Sequence, residues 1–394
     1  MKSTPRFYLF LDVDGVLHPI HWTIPGLTAE DEARLAPSEL QIYMATRGLV
    51  SVPDGQLLGR LPLLEDTLRP HLDEVDIVIS SSWRRQKSAY RMLLDAMSKD
   101  VRAHVVGKTQ PLGRRSWEIE SWLKKPGKPG VVPVILDDAE SEGRDLSHFG
   151  VWIKPKVSTG FGMPEAQGLG NVLRGYTFVF LDTEFTDIDV PNPELISLGM
   201  VPELHADCFG AGAGEFYGER PRSDWWSLAS PWVRAQVVPH LSQSRGGYDP
   251  MNRDTASLAR QAHYWLKRRH LTTYIVTNAP EYDFKLLKAL LDPWPENVAP
   301  FPIRFDTFCT PGDIRDAVSQ AGMNWYRDNG PITGSLFDKS GKLHDGPLPK
   351  AVAPAHHARN DACALRAAWE RAIQLGWNPD KFYREVLSRQ WRTP

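Results

Sequence analysis

Two apolar segments of the chain end in acidic residues, and each is typical of the first buried strand of an α/β domain. Phe7–Leu11 leads into Asp12, and Phe178–Leu181 leads into Asp182. Continuous runs of apolar and β-branched residues are typical of strands that are covered on both faces. Because 394 residues are more than one hydrophobic core usually serves, we expect two domains, each beginning with one of these strands.

A glycine-rich stretch between the two strands marks the expected domain boundary. It interrupts the apolar periodicity with Gly160, Gly162, Gly168, Gly170 and Gly175. We therefore predict a first domain at residues 1–174 and a second at residues 175–394.

Expected strands alternate with expected helices in both domains, which predicts an α/β fold. In the first domain, further strands are expected at residues 75–80 and 131–136, and helices at 88–97 and 116–123. In the second, strands are expected at 195–201 and 273–276, and helices at 255–268, 282–291 and 361–375. The first domain should therefore contain a parallel sheet with helices on both faces.

The charge balance and the cysteines exclude several classes of protein. Because 46 Lys and Arg face 48 Asp and Glu, the chain lacks the strong basic field that binds duplex nucleic acid without sequence preference. Cys208, Cys309 and Cys363 are too few and too widely spaced for a disulfide framework or a Cys-rich zinc site. No apolar run approaches the roughly 20 residues of a membrane span, and the first residues lack a signal-peptide pattern. We expect a cytoplasmic protein without membrane attachment.

Two aspartates and a glycine follow the first strand. Asp12 and Asp14 are separated by one residue, and Gly15 allows the backbone to turn away sharply. One aspartate can attack a phosphoryl group, while the other can protonate the leaving oxygen and later activate water. The alternative is that the two acids only cap a turn, and this pattern alone favours neither interpretation.

Polar residues also follow the next expected strands of the first domain. Ser80 and Ser81 can hold phosphate oxygens through their hydroxyls and backbone N–H groups. Asp137 and Asp138 follow a further strand, and carboxylates beside Asp12 would offer the oxygen ligands that Mg²⁺ prefers.

Three basic residues can balance the negative charge of a transferring phosphoryl group. They are Lys108, Arg114 and Arg115. Taken alone, each is more typical of a solvated surface charge.

These strand ends together resemble the haloacid dehalogenase (HAD) superfamily over residues 6–174. The resemblance implies a HAD-like Rossmannoid three-layer sandwich, and the second aspartate favours phosphate-ester hydrolysis over dehalogenation. It implies Asp12 as nucleophile, Asp14 as acid and base, Ser80 with Ser81 as phosphate-binding residues, and one Mg²⁺ or Mn²⁺ ion held by Asp12, Asp14, Asp137 and Asp138. Arg115 is similar to the basic phosphate-binding element of related domains in RNA-repair fusions, with Lys108 as the alternative.

Four acids and a histidine form a second candidate site. Asp182 and Glu184 lie two residues apart in an extended strand and therefore share a face. Asp283 and Asp361 begin expected helices, and His356 precedes the second of them by five residues. Four carboxylates at one point repel each other unless cations neutralise them, as in a two-metal nuclease site. Taken individually, Asp283 and Asp361 are equally typical of helix N-caps. His356 alone is equally typical of a core residue whose ring nitrogens are hydrogen-bonded.

This second set resembles the DEDDh class of 3′–5′ exonucleases over residues 176–376. The resemblance implies an RNase H-like mixed-sheet α/β domain with His356 as general base and two Mg²⁺ or Mn²⁺ ions held by Asp182, Glu184, Asp283 and Asp361. His357 is the adjacent alternative, one residue closer to the last aspartate. Residues 194–199 and 215–217 are similar to a bacterial exoribonuclease subgroup, which favours RNA. Asn278 departs from the spacing of proofreading exonucleases, which argues against that role.

A cluster of arginines and tryptophans follows the first strands of the second domain. It consists of Arg220, Arg222, Trp225, Trp226 and Trp232. Such residues can bind a single strand through phosphate attraction and base stacking. Packing within the domain is an equally good interpretation.

The two resemblances together predict a bifunctional metal-dependent enzyme that acts on the ends of single-stranded RNA or DNA, with RNA favoured. A phosphatase that removes a 3′-phosphate would precede an exonuclease on the same chain. The alternatives are a nucleotidase or 5′-end phosphatase beside the exonuclease, or one domain that acts only as a binding module. The sequence leaves the oligomeric state open.

Overall fold

The computed structural model describes residues 6–23, 49–52, 55–125, 130–138, 146–203, 214–241, 254–305, 312–329 and 357–378. These residues form two compact units that divide between Tyr176 and Thr177, with residues 268–271 grouped with the first unit. The domain boundary between residues 174 and 175 remains our proposal. Within the described residues, every helix is too short or too polar to cross a membrane.

A five-stranded sheet forms the centre of the first unit. The described strands of this unit are β1 (Phe7–Leu11), β2 (His21–Thr23), β3 (Leu49–Ser51), β4 (Val75–Ile79), β5 (Val105–Lys108), β6 (Val132–Leu136) and β7 (Val151–Ile153). The sheet has the order β5-β4-β1-β6-β7, and every pairing in it is parallel. Strands β2 and β3 form a separate antiparallel pair.

Helices cover both faces of this parallel sheet. They are α1 (Leu61–Leu68), α2 (Lys87–Ala96), α3 (Lys99–Arg102), α4 (Arg115–Leu123) and α5 (Met163–Leu173). Successive side chains of a strand point to opposite faces. Accordingly, Leu9 of β1 belongs to the same core as Leu169 of α5, whereas Phe10 packs in a second core with Ile119 and Trp122 of α4. The predicted parallel α/β architecture is confirmed.

A mixed five-stranded sheet forms the centre of the second unit. Its strands are β8 (Tyr176–Phe185), β9 (Leu195–Pro202), β10 (Phe216–Glu219), β11 (Thr272–Thr277) and β12 (Val298–Arg304). The order is β10-β9-β8-β11-β12. The pairs β8–β9 and β9–β10 are antiparallel, and β11–β12 is parallel. The predicted mixed-sheet α/β fold is therefore present.

Helices also pack on this second sheet. They are α6 (Arg222–Trp225), α7 (Pro231–Gln236), α8 (Thr255–Lys267), α9 (Asp283–Leu290), α10 (Arg315–Asn329) and α11 (Ala358–Gln374). Leu181 of β8 shares a core with Leu258 of α8 and Leu287 of α9. Phe180, the neighbouring residue of β8, meets the ring of Trp369 on α11 at a centroid distance of 5.5 Å.

The two helices that carry predicted site aspartates begin at non-acidic N-caps. Tyr282 caps α9, so Asp283 is the first residue of that helix. His357 caps α11 in an extended conformation, and the helix begins at Ala358, three residues before the predicted start. Asp361 consequently lies in the first turn. The interpretation of these aspartates as N-caps is wrong, because Tyr282 and His357 occupy the N-cap positions.

Candidate phosphate and metal sites

The carboxyl end of β1 brings predicted residues of the first site together. The backbone N–H of Asp12 donates to a carbonyl of β6 (3.0 Å), and that of Ser80 donates to a carbonyl of β1 (2.9 Å). Oxygens of Asp12, Asp137 and Asp138 lie within 4.8 Å of one another. Divalent cations such as Mg²⁺ and Mn²⁺ take oxygen ligands in this kind of arrangement. These three residues therefore fit one such ion.

Gly15 lets the chain turn away beside this cluster. Its φ of +69° lies in the left-handed region, where a side chain is unfavourable. A Cβ at this position would also lie 2.5 Å from Oδ2 of Asp138. Both the backbone conformation and the space beside the carboxylate therefore require glycine.

Arg115 lies between the predicted nucleophile and a predicted metal ligand. Its Nη2 is 2.9 Å from Oδ2 of Asp12, and its Nε is 2.6 Å from Oδ2 of Asp137. The guanidinium offsets part of the repulsion between these acids, and a planar donor group of this kind is well suited to phosphate oxygens. Arg115 is thus placed for the phosphate-binding role that the resemblance implies.

The other two basic residues contact different groups. Lys108 donates from Nζ to the backbone carbonyl of Arg84 (3.1 Å), and its ammonium lies 4.6 Å from the ring centroid of Tyr90. Arg114 lies over the ring of Trp117, with its guanidinium carbon 4.8 Å from the centroid. These contacts favour Arg115 over Lys108 as the basic residue of the first site.

Three side chains hold the carboxylate of Asp14. Trp83 donates from Nε1 to Oδ1 (2.9 Å), Ser82 donates from Oγ to Oδ2 (3.3 Å), and Nε2 of His18 lies 3.2 Å from Oδ1. Burial alone would raise the pKa of Asp14, but these hydrogen bonds and the charge of His18 lower it below its usual value. Asp14 is therefore fixed in orientation as an ionised carboxylate. None of these three partners was predicted from the sequence.

Ser80 and Ser81 differ in what their hydroxyls contact. The hydroxyl of Ser80 is fully buried and has no hydrogen-bond partner within the described part of the chain. An unsatisfied buried group costs about 1–3 kcal/mol, so an oxygen of a bound phosphate is a fitting partner. The hydroxyl of Ser81 instead accepts from the backbone N–H of Trp83 (3.3 Å) and caps the short 3₁₀ helix Ser82–Arg85.

A buried ion pair that the sequence analysis missed ties the loops of the first site together. Arg84 and Glu118 lie 2.6 Å apart, and each is less than 5% exposed. Arg84 also donates to the backbone carbonyls of Ser80 and Ser81, and to that of Thr109 (3.0 Å). The pair thereby joins the loops after β4 and β5 to helix α4, which carries Arg115. In the sequence, only the position of Arg84 shortly after Ser80 and Ser81 could have indicated this ion pair.

Asp182, Glu184 and Asp361 form an acidic cluster in the second unit. One oxygen of each lies within 4.8 Å of the others. Gly199 of β9 pairs directly with Asp182, and a Cβ on it would lie 2.3 Å from the backbone of Ala358. This close approach of strand and helix places the first turn of α11 beside β8. The cluster fits divalent cations, because three carboxylates meet there.

Asp283 lies beside this cluster and is held by two threonines. Its carboxylate accepts from the backbone N–H of Thr183 (3.2 Å), from the hydroxyl of Thr183 (2.7 Å) and from the hydroxyl of Thr277. Burial raises the pKa of Asp283 to about 6, although these hydrogen bonds act in the opposite direction. The structure therefore brings this predicted residue near the cluster with defined hydrogen-bond partners.

Burial and mutual repulsion raise the pKa values of Asp182 and Glu184 well above their usual range. Burial is the largest cause for both, followed by the charges of Asp283 and Asp361. Carboxylates in this situation either take up protons or bind cations. The electrostatics of the second site therefore agree with a metal-binding role.

The predicted general base, His356, lies outside the described residues. His357 is described, and its ring stacks on that of Tyr217 at a centroid distance of 4.4 Å and an angle of 20°. The hydroxyl of Tyr217 donates to Oε1 of Glu219 (2.5 Å). The ring of His357 therefore has a packing partner, and the role of His356 stays a prediction.

The cluster of arginines and tryptophans divides into core and surface residues. Trp225 is fully buried, and its Nε1 donates to the backbone carbonyl of Arg220 (3.2 Å). The guanidinium of Arg222 lies over the ring of Trp226 instead, and Trp232 is 56% exposed. Packing thus accounts for Trp225, and Trp226 is half-buried against the same core. Arg222 and Trp232 are exposed.

Residues 8–166 match one family model. It is described as the HAD domain in Swiss Army Knife RNA repair proteins. The matched range contains the nucleophile, phosphate-binding and metal-ligand positions that we assigned to the first domain, which supports the resemblance drawn from them. No curated protein is significantly similar in sequence to the chain.

Two solved exonucleases resemble part of the chain. E. coli exonuclease I, in complex with a dA16 oligonucleotide, is 15% identical with a TM-score of 0.30, and the match covers 54% of this chain and 43% of that one. S. pombe Pop2p, with Mg²⁺ and Mn²⁺ bound, is 14% identical with a TM-score of 0.29, covering 52% of this chain and 86% of that one. The chain thus spans less than half of exonuclease I. TM-scores at this level do not identify a shared activity.

Proposed function

We propose that the chain is a bifunctional metal-dependent enzyme that processes the ends of single-stranded nucleic acid, RNA in preference to DNA. Residues 1–174 form the phosphatase and residues 175–394 the 3′–5′ exonuclease. One observation carries the proposal: each unit has a carboxylate cluster at the end of a central strand. The first carboxylate cluster is Asp12, Asp137 and Asp138, and the second carboxylate cluster is Asp182, Glu184 and Asp361.

In the proposed phosphatase, Asp12 is the nucleophile. Its carboxylate attacks the phosphorus of a terminal phosphomonoester, the bond to the strand oxygen breaks, and an aspartyl-phosphate forms. Asp14 is ionised in the free site, and the negative charge of a bound phosphomonoester favours its uptake of a proton. Asp14 gives this proton to the leaving oxygen and then takes one from the water that releases inorganic phosphate. Ser80 and Arg115 hold the phosphoryl oxygens. A divalent cation held by the first carboxylate cluster supplies further stabilisation of the developing charge.

In the proposed exonuclease, the second carboxylate cluster and Asp283 hold two divalent ions. When bound, such ions lower the pKa of a water molecule and stabilise the leaving oxygen. His356 takes the proton from the water that attacks the last phosphodiester. The bond to the 3′-oxygen of the preceding nucleotide then breaks, which releases a nucleoside 5′-monophosphate and a new 3′-hydroxyl.

The two activities fit one sequence of steps. Ribonucleases often leave a 3′-phosphate, and a site shaped around a terminal 3′-hydroxyl does not accept such an end. A phosphatase on the same chain raises the local concentration of usable ends for the exonuclease. The HAD match over residues 8–166 supports the first activity, and the set of acids in the second unit supports the other.

The test follows 5′-labelled single-stranded RNA that ends in either a 3′-hydroxyl or a 3′-phosphate, with Mg²⁺ or Mn²⁺. We expect Asp182→Asn to remove the phosphate without shortening the strand. We expect Asp12→Asn to degrade only the strand that ends in a 3′-hydroxyl. If Asp12→Asn degrades both strands equally fast, the first domain acts on another substrate.

Two further outcomes would change the activity that we assign to one of the domains. Hydrolysis of nucleoside monophosphates but not of oligonucleotide 3′-phosphates would identify the first domain as a nucleotidase. Full activity of a single-site variant such as Asp12→Asn or Asp182→Asn in every assay would identify the affected domain as a binding module.

A further inference from the structure

A patch of cationic and aromatic side chains lies on the second unit, outside the second carboxylate cluster. We call it the cation–aromatic surface and define it as Arg222, Trp226, Leu228, Trp232 and Arg234. The guanidinium carbon of Arg222 lies 3.6 Å from the ring centroid of Trp226, and that of Arg234 lies 4.9 Å from it. Leu228 and Trp232 are 55% and 56% exposed. Two positively charged and two apolar side chains of residues 222–234 are therefore exposed.

The segment beneath this surface is firmly packed. Trp225 and Val233 are buried in one core with Ile196 of β9. Ser230 caps α7 by accepting from the backbone N–H of Val233 (3.2 Å). The exposed side chains thus project from a packed base, so binding would require little ordering of the backbone.

The two arginines are oriented in a way that suits phosphate. A guanidinium that lies over an indole ring keeps its N–H groups at its edge, where they can form paired hydrogen bonds with phosphate oxygens. Arg234 is fixed further, because its Nη2 donates to the backbone carbonyl of Trp226 (2.9 Å). Trp232 adds an exposed ring on which a base can stack. Two cations held on one indole, with a second, exposed indole in the same segment, match the chemistry of a single-stranded polynucleotide.

A hydrogen bond links the segment that carries the cation–aromatic surface to the residue that follows β8, the strand that carries Asp182 and Glu184. The backbone N–H of Ser230 donates to the carbonyl of Thr186 (2.9 Å). Thr186 follows Glu184 by two residues, which corresponds to about 7 Å of extended chain. A single-stranded nucleic acid whose last phosphodiester lies at the second carboxylate cluster can therefore place its preceding nucleotides near the cation–aromatic surface.

We propose that the cation–aromatic surface binds the nucleotides that precede the 3′-terminal residue of a single strand. This inference rests on the proposed exonuclease activity and adds a second point of contact with its substrate. It makes the exonuclease prefer strands of several nucleotides over dinucleotides, because a dinucleotide is too short to occupy both places.

Binding is measured with the full chain carrying Asp182→Asn, which retains the substrate without cutting it. Fluorescence anisotropy follows a labelled RNA of about twelve nucleotides, a length within the range that single-strand binding sites occupy. We expect Arg222→Ala with Arg234→Ala to weaken binding about tenfold or more and to reduce the slope of log affinity against log salt by about 1.4, which is two phosphate contacts at about 0.7 each. Trp232→Ala should weaken binding at least about fivefold.

The matched controls replace an exposed arginine and an exposed tyrosine of helix α8. Arg260→Ala and Tyr264→Ala should leave the affinity and the salt slope at their original values, and circular dichroism verifies folding of every variant.

An unchanged affinity and salt slope in the double arginine variant would overturn the inference, because the cation–aromatic surface would then not bind the RNA. With Asp182 restored, the double variant should lose at least about tenfold in the ratio of kcat/KM for the longer RNA to that for a dinucleotide. Failure of the unaltered chain to degrade either RNA would overturn the proposed exonuclease, whatever the binding results.

Discussion

Gly15 and Gly113 both have positive φ angles, of +69° and +86°, but they differ in their surroundings. A Cβ on Gly15 would meet Asp138, whereas a Cβ on Gly113 would have no described atom within 4 Å. We expect Gly15→Ala and Gly113→Ala each to lower the free energy of unfolding by about 1–2 kcal/mol, because both force alanine into the left-handed region. Only Gly15→Ala should also abolish phosphatase activity, because it displaces Asp138.

Urea unfolding and hydrolysis of a 3′-phosphorylated oligonucleotide distinguish the two effects. Equal loss of phosphatase activity in both variants would mean that backbone strain, and not the contact with Asp138, controls the first site.

The raised pKa of Asp283, about 6, makes the folded second unit bind protons more tightly than the unfolded chain. Stability from this residue is therefore present at low pH and is lost as the pH rises from about 4 through about 6. With a chelator present, we expect the wild-type chain to lose about 2 kcal/mol more unfolding free energy than Asp283→Asn between about pH 4.5 and 7.5. Mg²⁺ or Mn²⁺ should restore more stability at the higher pH.

The difference between wild type and Asp283→Asn reports on Asp283 together with its effect on the pKa values of Asp182 and Glu184. A pH dependence that is identical in the two proteins would contradict the assignment of the raised pKa to Asp283.

At the level of strand and helix packing, Gly199 controls how closely α11 approaches β9. Gly199→Ala would place a methyl group 2.3 Å from the backbone of Ala358, so the helix must shift and carry Asp361 with it. We expect this variant to lose exonuclease activity by about tenfold to a hundredfold, because a displacement of about 1 Å is enough for such a loss. Phosphatase activity, measured in the same preparation, shows whether the first unit is still folded.

Gly322→Ala on α10 is the matched control. The same methyl group would make only ordinary contact there, 3.5 Å from the carbonyl of Ala364. Alanine is the better helix former, so this variant should gain about 0.5–1 kcal/mol of stability and retain nuclease activity. Equal nuclease loss in both glycine variants would argue against the close approach as the cause.

The sequence was most informative where an element has one strong local signal. Both domains were predicted from apolar strands that end in acids, because the pattern of a buried strand is contained within the strand itself. Short strands such as β10 carry little of this signal and were not predicted. The start of α11 was placed three residues late, because an extended histidine ends the preceding chain without any Ser, Thr, Asp or Asn cap.

Contacts between distant parts of the chain were beyond the sequence. The acids could be identified from their places after strands or at helix starts, and Arg115 from its place at a helix start. The pairing of Arg84 with Glu118, in contrast, depends on how two elements pack. The same holds for Trp83, which donates to Asp14 from 69 residues further along the chain. One sequence contains no signal that joins such residues, because the tertiary fold alone brings them together.

For the molecule as a whole, the proposed coupling predicts that both sites work better on one chain than on two. A mixture of full-length Asp12→Asn and Asp182→Asn contains each activity, but on separate chains. We expect this mixture to degrade a 3′-phosphorylated strand more slowly than the wild type at the same concentration of each active site. The difference in degradation rate should be largest when the protein concentration is well below the roughly millimolar effective concentration that a short link between two domains provides.

A time course of labelled strand at several dilutions measures this difference. Equal rates for the mixture and the wild type at every dilution would mean that the two activities share a chain without passing substrate between them.

The position of Arg115 has a consequence for conditions in which divalent ions are scarce. Its guanidinium contacts Asp12 and Asp137, so the first centre contains a positive charge supplied by the chain itself. In the second centre, burial and neighbouring acids raise the pKa values of Asp182 and Glu184. As magnesium falls, the acids of the second centre must take up protons or move apart, while those of the first keep a partner. Under magnesium starvation, we expect the proposed exonuclease centre to lose its arrangement first, while the acids of the first centre keep their contacts with Arg115.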